Sequence, residues 1–538
     1  MEVHQSGHSG DETPVHGGRP ATQAGDRRGA PDARPSSTWA AGGLGCAAAV
    51  VFAGVAGWVV AGIMPRGAVT SAEALGLLLG TLLLGLVLGY VMASRWAMLV
   101  GPLTFLAVFE IGRVPVPGPT MGAVHLGSQF GVLAFLLGRG VFALLSVVPM
   151  LVGVNLGVVA SGERRLRRAC GPRRLTRVIG WSVTVVAAAS LGVLGLLIAR
   201  PASTPPILGP DGKPLPGSLA TLERVHIGDT EQWIVIRAAR PDNPVLLYLS
   251  GGPGQSDLPY SRVLLGDLAR DFVVIAWDQR GTGKSYPALD PSDTLTPDRA
   301  VRDVIALTQK LRKRFGAAKI YLLGESWGST LGVLAVQRRP DLYYAFIGSG
   351  QLVSQRETDA RLYRDVLDYA RSSGDDSLLR RIKGFGAPPY GSVFAYGAVM
   401  AFYDQLAGAY APPAAFTDRL ASAHLGFLGV RGSEYRWIEK VNVVRGLIDM
   451  FSVLYPQLQT IDFRRDVPRL DVPIYLFDGG HELGARRDLA LQWFAQVDAP
   501  LKRLYSFPDA GHAVAFEHFG DLRRILADVV VPETYTRP

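Results

Sequence analysis

The chain has 538 residues, 48% of them hydrophobic, with a mean hydropathy of +0.20 and a formal charge of +9. A soluble chain of that length would divide into about three or four domains, but the apolar residues are crowded into the first two hundred positions, which excludes that reading. The two cysteines, Cys46 and Cys170, also lie in that first part, so no disulfide framework holds the remainder together.

Residues 1–38 are Gly, Pro, Ser, Arg and Asp with few large apolar side chains, the composition of a disordered tail. A membrane region is expected over 39–200. Ala40–Met64, Ala74–Ala93, Val141–Ala160 and Val178–Ala199 carry no charge. Each is about the 20 residues that a helix needs to cross a hydrocarbon core of ~30 Å. The shorter run Trp96–Phe109 is a candidate fifth span, which sets Glu110 at the interface. Arg113–Gln129, with Pro115, Pro117 and Pro119, reads as an external loop or a short re-entrant piece. Ser161–Arg177 holds seven Arg against one Glu. A nucleic-acid patch is less consistent with that run than a short loop retained in the cytoplasm. With this loop inside, everything after Arg200 is expected outside the cytoplasmic membrane.

A Pro/Gly-rich linker (201–217) leads to a region patterned like a water-soluble domain. Short apolar runs appear in "EQWIVIRA", "PVLLYLSG", "FVVIAWD", "KIYLLGES", "YYAFIGSG", "PIYLFDGG" and "KRLYSF", with amphipathic helices between the later ones. That alternation predicts an α/β fold, a mostly parallel sheet with helices on both faces. The core is expected from 218–350 and 470–538. An aromatic-rich helical insertion at 351–469 would form a cap over the site.

One stretch invites a different reading. "GTGKS" within "VVIAWDQRGTGKSYP" resembles a phosphate-cradling loop, but the first Gly of that motif falls on Asp278, whose charge would repel a nucleotide. No nucleotide or nucleic acid is expected as a partner.

The chemistry gathers elsewhere. "GESWGST", between the strand "KIYLL" and a helix, is a Gly-x-Ser-x-Gly turn that projects Ser326 above the sheet. A serine hydroxyl needs a base. In this fold the chain order is serine, acid, histidine, and His512 follows the last strand in a Gly-containing loop. His226 precedes the serine, His424 falls in the insertion, and His481 and His518 read as structural or surface residues. For the acid, Glu482 in the loop past Gly479 is preferred to Asp478 at the strand end, because orienting an imidazole requires a position above the sheet. Asp478 stays open. Two N–H donors for an oxyanion are expected from Trp327 and, within "SGGPG", from Gly252. No cofactor and no metal site is called for.

"GGPG", "DQRGTGKS" and "GESWGS", in that order, resemble the proline iminopeptidase-type serine aminopeptidases of the α/β-hydrolase fold, over about Leu222–Val531. The resemblance implies that Asp278 and Arg280 belong to a loop beside the active site, with Arg280 bracing its neighbours. It also implies an acid in a Gly-x-x-Asp loop, matched by Gly479–Glu482, and cap carboxylates that bind a substrate amine, for which Glu434 and Asp404 are available. The chain departs from the family at Ser250 (usually His), Glu325 (usually Gly) and Glu482 (usually Asp), which weighs against prolyl specificity. The expectation is therefore a membrane-anchored, multi-pass serine hydrolase that removes N-terminal residues from short peptides. Alternatives are an esterase acting on small or lipid-like esters, and a transport or sensing protein that uses the hydrolase fold for binding.

Overall fold

The computed structural model describes residues 36–64, 69–116, 118–122, 124–162, 174–402, 405–406 and 410–535. The tail up to residue 35, most of the Arg-rich loop with Cys170, and Asp404 lie outside the described residues.

The N-terminal helices are α1 (Ser36–Ile63), α2 (Ser71–Met92), α3 (Ala97–Gly112), the short α4 (Pro119–Gly122), α5 (Gln129–Phe135), α6 (Val141–Gly162) and α7 (Arg174–Ala199). A π-helical turn, Leu136–Gly140, joins α5 to α6. Gly43–Ile63, Ser71–Met92, Gln129–Ser161 and Gly180–Ala199 are long and apolar enough to cross a membrane, while α3 is shorter. Trp58, Leu79, Val183 and Leu196 point outward from these helices, exposed as a lipid-facing surface requires.

Backbone proximity holds α2 against α6. A Cβ at Gly85 would lie 2.0 Å from the Met150 carbonyl oxygen, and one at Gly89 2.2 Å from that of Val154. The relation is reciprocal: at Gly153 and Gly157 a Cβ would meet the Leu82 and Leu86 carbonyl oxygens at 2.0 and 2.1 Å. Both helices thus carry Gly-x-x-x-Gly, the spacing that lets two apolar helices touch along their backbones where lipid provides no hydrophobic drive.

The segment expected to be a loop or re-entrant piece contains α4 and runs into α5, and it leaves the long apolar helices to dock on the C-terminal half. The linker is fixed as well. Ser203 N–H donates to the Ser433 carbonyl (2.9 Å), and Arg237 Nη1 donates to that of Pro205 (2.7 Å).

Beyond it lies an eight-stranded sheet: β1 (Leu219–Ile227), β2 (Thr230–Ala238), β3 (Val245–Leu249), β4 (Val273–Asp278), β5 (Ile320–Glu325), β6 (Tyr343–Ser349), β7 (Ile474–Gly479) and β8 (Lys502–Phe507). Its order is β1-β2-β4-β3-β5-β6-β7-β8, antiparallel through the first three strands and parallel from β4 onward. Each sequence run became a strand. The structure adds β1, which lacks a purely apolar run because it is a half-exposed edge. Period-two alternation fills two cores: Leu247 and Leu249 of β3 face one, Leu246 and Tyr248 the other.

The helices of this half include α8 (Leu258–Leu264), α9 (Pro297–Phe315), α10 (Trp327–Arg338), α11 (Gln355–Ser372), α12 (Asp376–Phe385), α13 (Val393–Met400), α14 (Ala414–Ala423), α15 (Glu439–Leu458) and α16 (Gly484–Gln496), beside shorter turns. Of these, α11 to α15 lie between β6 and β7 and form the cap.

The α2–α6 contact yields a paired test in the full chain in detergent. Gly89→Leu must separate the two backbones, an overpacking defect of about 1–3 kcal/mol, and is expected to lower the thermal midpoint by several degrees. Gly80→Leu, on the same helix with nothing within 4 Å, is expected to leave it unchanged.

Candidate active site

Ser326 sits between β5 and α10 with φ 53° and ψ −118°. A left-handed φ in a non-glycine residue is strained and persists only when its surroundings over-determine it. Here they do. A Cβ at Gly324 would lie 2.3 Å from the Gly328 carbonyl oxygen, and one at Gly328 would lie 2.0 Å from that of Leu249. Ser326 N–H donates to the Ser349 carbonyl (3.0 Å), and the Ser329 hydroxyl donates to the Ser326 carbonyl (2.6 Å).

His512, in the loop after β8, lies against Gly350, where a Cβ would stand 2.8 Å from the imidazole. Its Nδ1 is hydrogen-bonded to Glu482 Oε2. The second carboxylate oxygen of Glu482 accepts from Leu483 N–H (2.8 Å) and lies 3.5 Å from the Arg486 guanidinium. Burial by itself would raise the Glu482 carboxyl, but the charge and hydrogen bond of His512, with Arg486 and the Leu483 amide, outweigh it and hold it down at about 2. Asp478 is engaged otherwise. Arg487 grips both of its oxygens from 2.8–3.1 Å, and Ser506 donates to it at 3.2 Å.

The "SGGPG" loop follows β3, with Gly252 at φ 109° opening into the same pocket as Ser326 and His512. Gln279 connects this loop to the serine turn, a link the sequence reading missed. Its Nε2 donates to the Ser250 carbonyl (3.0 Å), while its Oε1 accepts the Trp327 indole N–H (3.1 Å). Buried Arg280 bonds Asp303 on α9 (2.9 Å) and Asp229 in the β1–β2 turn (2.7 Å). Asp278 accepts from the Lys284 amide (2.8 Å) and the Tyr435 hydroxyl (3.2 Å). Lys284, the lysine of the phosphate-loop look-alike, is buried and paired with Glu439 (2.6 Å) over the Trp233 ring.

Glu325 points away from the pocket into a buried acidic layer. The Tyr248 hydroxyl lies 2.9 Å from Asp257 Oδ2 and 3.2 Å from Glu325 Oε2. One phenolic proton serves only one of them, so a protonated carboxyl must supply the other bond. Burial, and then Asp257, push the Glu325 carboxyl well above its ordinary range, and burial raises Asp257 to about 6. Of the remaining histidines, His226 pairs with Glu231, His424 caps α14, His481 packs tilted against the Tyr410 ring, and His518 lies between Asp509 and Asp521.

The pocket over Ser326 and His512 has a volume of about 440 Å³. Its walls come mainly from the cap, with Phe394, Tyr396, Met400, Leu447, Ile448 and Phe451, while Phe130 reaches in from α5. Arg486, which the sequence reading also missed, lines it, and no carboxylate does among the described residues. Glu434 lies elsewhere, fully buried with Arg262 (2.5 Å) and Thr204 (3.3 Å). Asp404 lies outside the described residues.

The sequence profile for the alpha/beta hydrolase fold matches residues 244–371. The "Probable aminopeptidase YbaC" of Bacillus subtilis (strain 168) is 30% identical over 301 residues, 56% of this chain and 93% of that protein. The "Proline iminopeptidase" of Neisseria gonorrhoeae is 34% identical over 117 residues, 22% of this chain and 36% of that one. The crystal structure of a proline iminopeptidase from Mycobacterium smegmatis superposes with a TM-score of 0.40 at 20% identity, over 58% of this chain and 98% of the other.

The Glu482 carboxyl, depressed from 4.5 to about 2, stabilises the folded chain above pH 4.5 and loses that contribution as the pH falls through about 2. Wild type is therefore expected to melt above Glu482→Gln at pH 6, with the gap in thermal midpoint closing steadily between pH 4.5 and 2. A gap that stays constant across that window would contradict the assignment of His512 and Arg486 as the source of the depression.

Proposed function

The chain belongs to the aminopeptidase and proline iminopeptidase type of α/β-hydrolase, and on that premise we propose that it is a membrane-anchored serine hydrolase working through an acyl-enzyme. The observation that carries this reading is His512, which opens with Ser326 into one pocket while its Nδ1 is held from behind by Glu482. In the reaction, Ser326 Oγ attacks the scissile carbonyl as His512 Nε2 accepts its proton. Glu482 holds the opposite nitrogen and stabilises the imidazolium. The negative charge that develops on the carbonyl oxygen is met by the backbone N–H groups of Trp327 and Gly252. Collapse of the tetrahedral intermediate expels the leaving group, which takes the proton from His512. Water activated by the same imidazole then releases the acyl group and frees Ser326.

Kinship favours an N-terminal aminoacyl group as the acyl part. An esterase of apolar esters is the second reading. It is favoured by a pocket whose described lining has a guanidinium but no carboxylate to receive a substrate ammonium. A transport or sensing role with an inert hydrolase is opposed by the strained serine and the ionised Glu482 held together in one site. The left-handed serine is costly to maintain for binding alone, and the ionised carboxylate sits on the histidine that a serine nucleophile needs.

The orientation we propose rests on charge. The Arg-rich loop stays in the cytoplasm, and the span after it delivers the hydrolase to the outer side. The docking of Thr120 on Asp449 fits α6 and α7 as two crossings, since the α3–α6 connection and the hydrolase then share one side of the bilayer, and which side that is rests on the charge alone.

Two experiments test the reading. A fluorophosphonate probe is expected to label the wild-type full chain and not Ser326→Ala, whose activity on aminoacyl amides and short esters should fall to background. Labelling of the mutant would remove Ser326 as nucleophile, and the wild-type rate on amides against esters decides between the two substrate classes. Protease added to intact spheroplasts should degrade the C-terminal half and spare residues 161–177. Protection of both until the membrane is broken would place the hydrolase in the cytoplasm.

A further inference from the structure

The active-site pocket is not built by the hydrolase half alone. Phe130, on the helix that continues into α6, lines it together with Ser326 and His512. Its ring lies over α13, where a Cβ at Gly397 would stand 3.0 Å away. Ala134 behind it is fully buried and clusters with Phe394 and Ile448 of the cap. A buried polar latch sets the position of this segment. Asp449 on α15 accepts the Thr120 N–H (3.1 Å), the Thr120 hydroxyl (2.7 Å) and the Tyr286 hydroxyl (2.5 Å), and Arg445 donates to the Thr120 oxygen (3.2 Å). The helix α15, which carries Asp449, also supplies Leu447, Ile448 and Phe451 to the pocket.

The same segment presents an apolar strip on its outer side, with Leu126, Val132 and Leu136 exposed. The helical run Gln129–Ser161 has 33 residues. At 1.5 Å per residue it is about 50 Å long, against a hydrocarbon core of ~30 Å. Its N-terminal turns therefore emerge from the bilayer and bring Phe130 and the apolar strip from the lipid boundary to the wall of the pocket.

We infer that the membrane region completes the substrate site, and that the substrate is an amphiphile whose apolar chain, attached next to the scissile carbonyl, lies against Phe130. Continuity argues for this occupant: a ring at the mouth of the pocket belongs to a helix whose remaining length is in lipid. The inference rests on the serine-hydrolase reading and specifies its substrate class. In it Phe130 is a specificity-determining residue that takes no part in the chemistry.

The test uses the full chain reconstituted in lipid nanodiscs and two active-site probes, an ethyl and a decyl fluorophosphonate, with the labelling rate of Ser326 as readout. Wild type is expected to react at least tenfold faster with the decyl probe. Phe130→Asp and Phe130→Ala are each expected to reduce that ratio at least fivefold. Partition of the long chain into lipid is common to all variants, so only the change in ratio is read. Should Phe130→Asp lose both labels through misfolding, Phe130→Ala decides. A ratio within twofold of wild type in the alanine variant, or no chain-length preference in wild type, overturns the inference while leaving the serine assignment intact. Failure of both probes on wild type refutes the serine assignment and the inference with it.

Discussion

The catalytic half depends on a backbone contact that tolerates no side chain. Gly328, at the start of α10, lies so close to the end of β3 that a Cβ would fall 2.0 Å from the Leu249 carbonyl oxygen. That approach wedges the helix against the sheet and forces the chain at Ser326 into its left-handed turn. The loop after β3 is brought beside the serine by the same contact, which allows Gln279 to bond Ser250 and the Trp327 indole together. Ser326, the candidate oxyanion donors and the supporting amide therefore share one origin. Displacing α10 would disturb all of them at once.

A second constraint joins parts that are distant in the chain. Asp449 is fully buried, and its hydrogen-bond donors come from the α3–α6 connection and from the segment after β4. A buried carboxylate stripped of such partners carries a desolvation cost of several kcal/mol. Helix α15 of the cap is thus tied both to the α3–α6 connection and to Tyr286.

Much of this architecture is legible in the sequence, for identifiable reasons. Charge-free runs of about 20 residues translate directly into long apolar helices, and seven short apolar runs into strands, because each pattern reports burial along a single element. β1 escapes that logic, since "LATLERVHI" mixes exposed and half-buried positions at a sheet edge. The preference for Glu482 comes from its loop position beyond β7; in the structure it bonds His512, while Arg487 engages the competing Asp478. Features that depend on contacts between distant segments stay hidden. Gln279 looks like one more polar residue in a loop until the fold sets it between Ser250 and Trp327. Phe130 belongs to a segment whose sequence says nothing about the cap it meets. The paired Gly-x-x-x-Gly spacings in α2 and α6 are visible in the sequence, but which helices they join is a property of the packed bundle.

The fixed linker has a kinetic consequence. α7 ends at Ala199, and Ser203 is already hydrogen-bonded to Ser433. So few free residues leave the hydrolase no tether on which to swing. The pocket over Ser326 is held at one height and one attitude relative to the apolar helices, and in the membrane-anchored reading proposed above, encounters with molecules in the same lipid sheet become a two-dimensional search. Turnover in that geometry follows the surface density of substrate and its lateral diffusion, quantities that a bulk concentration does not describe.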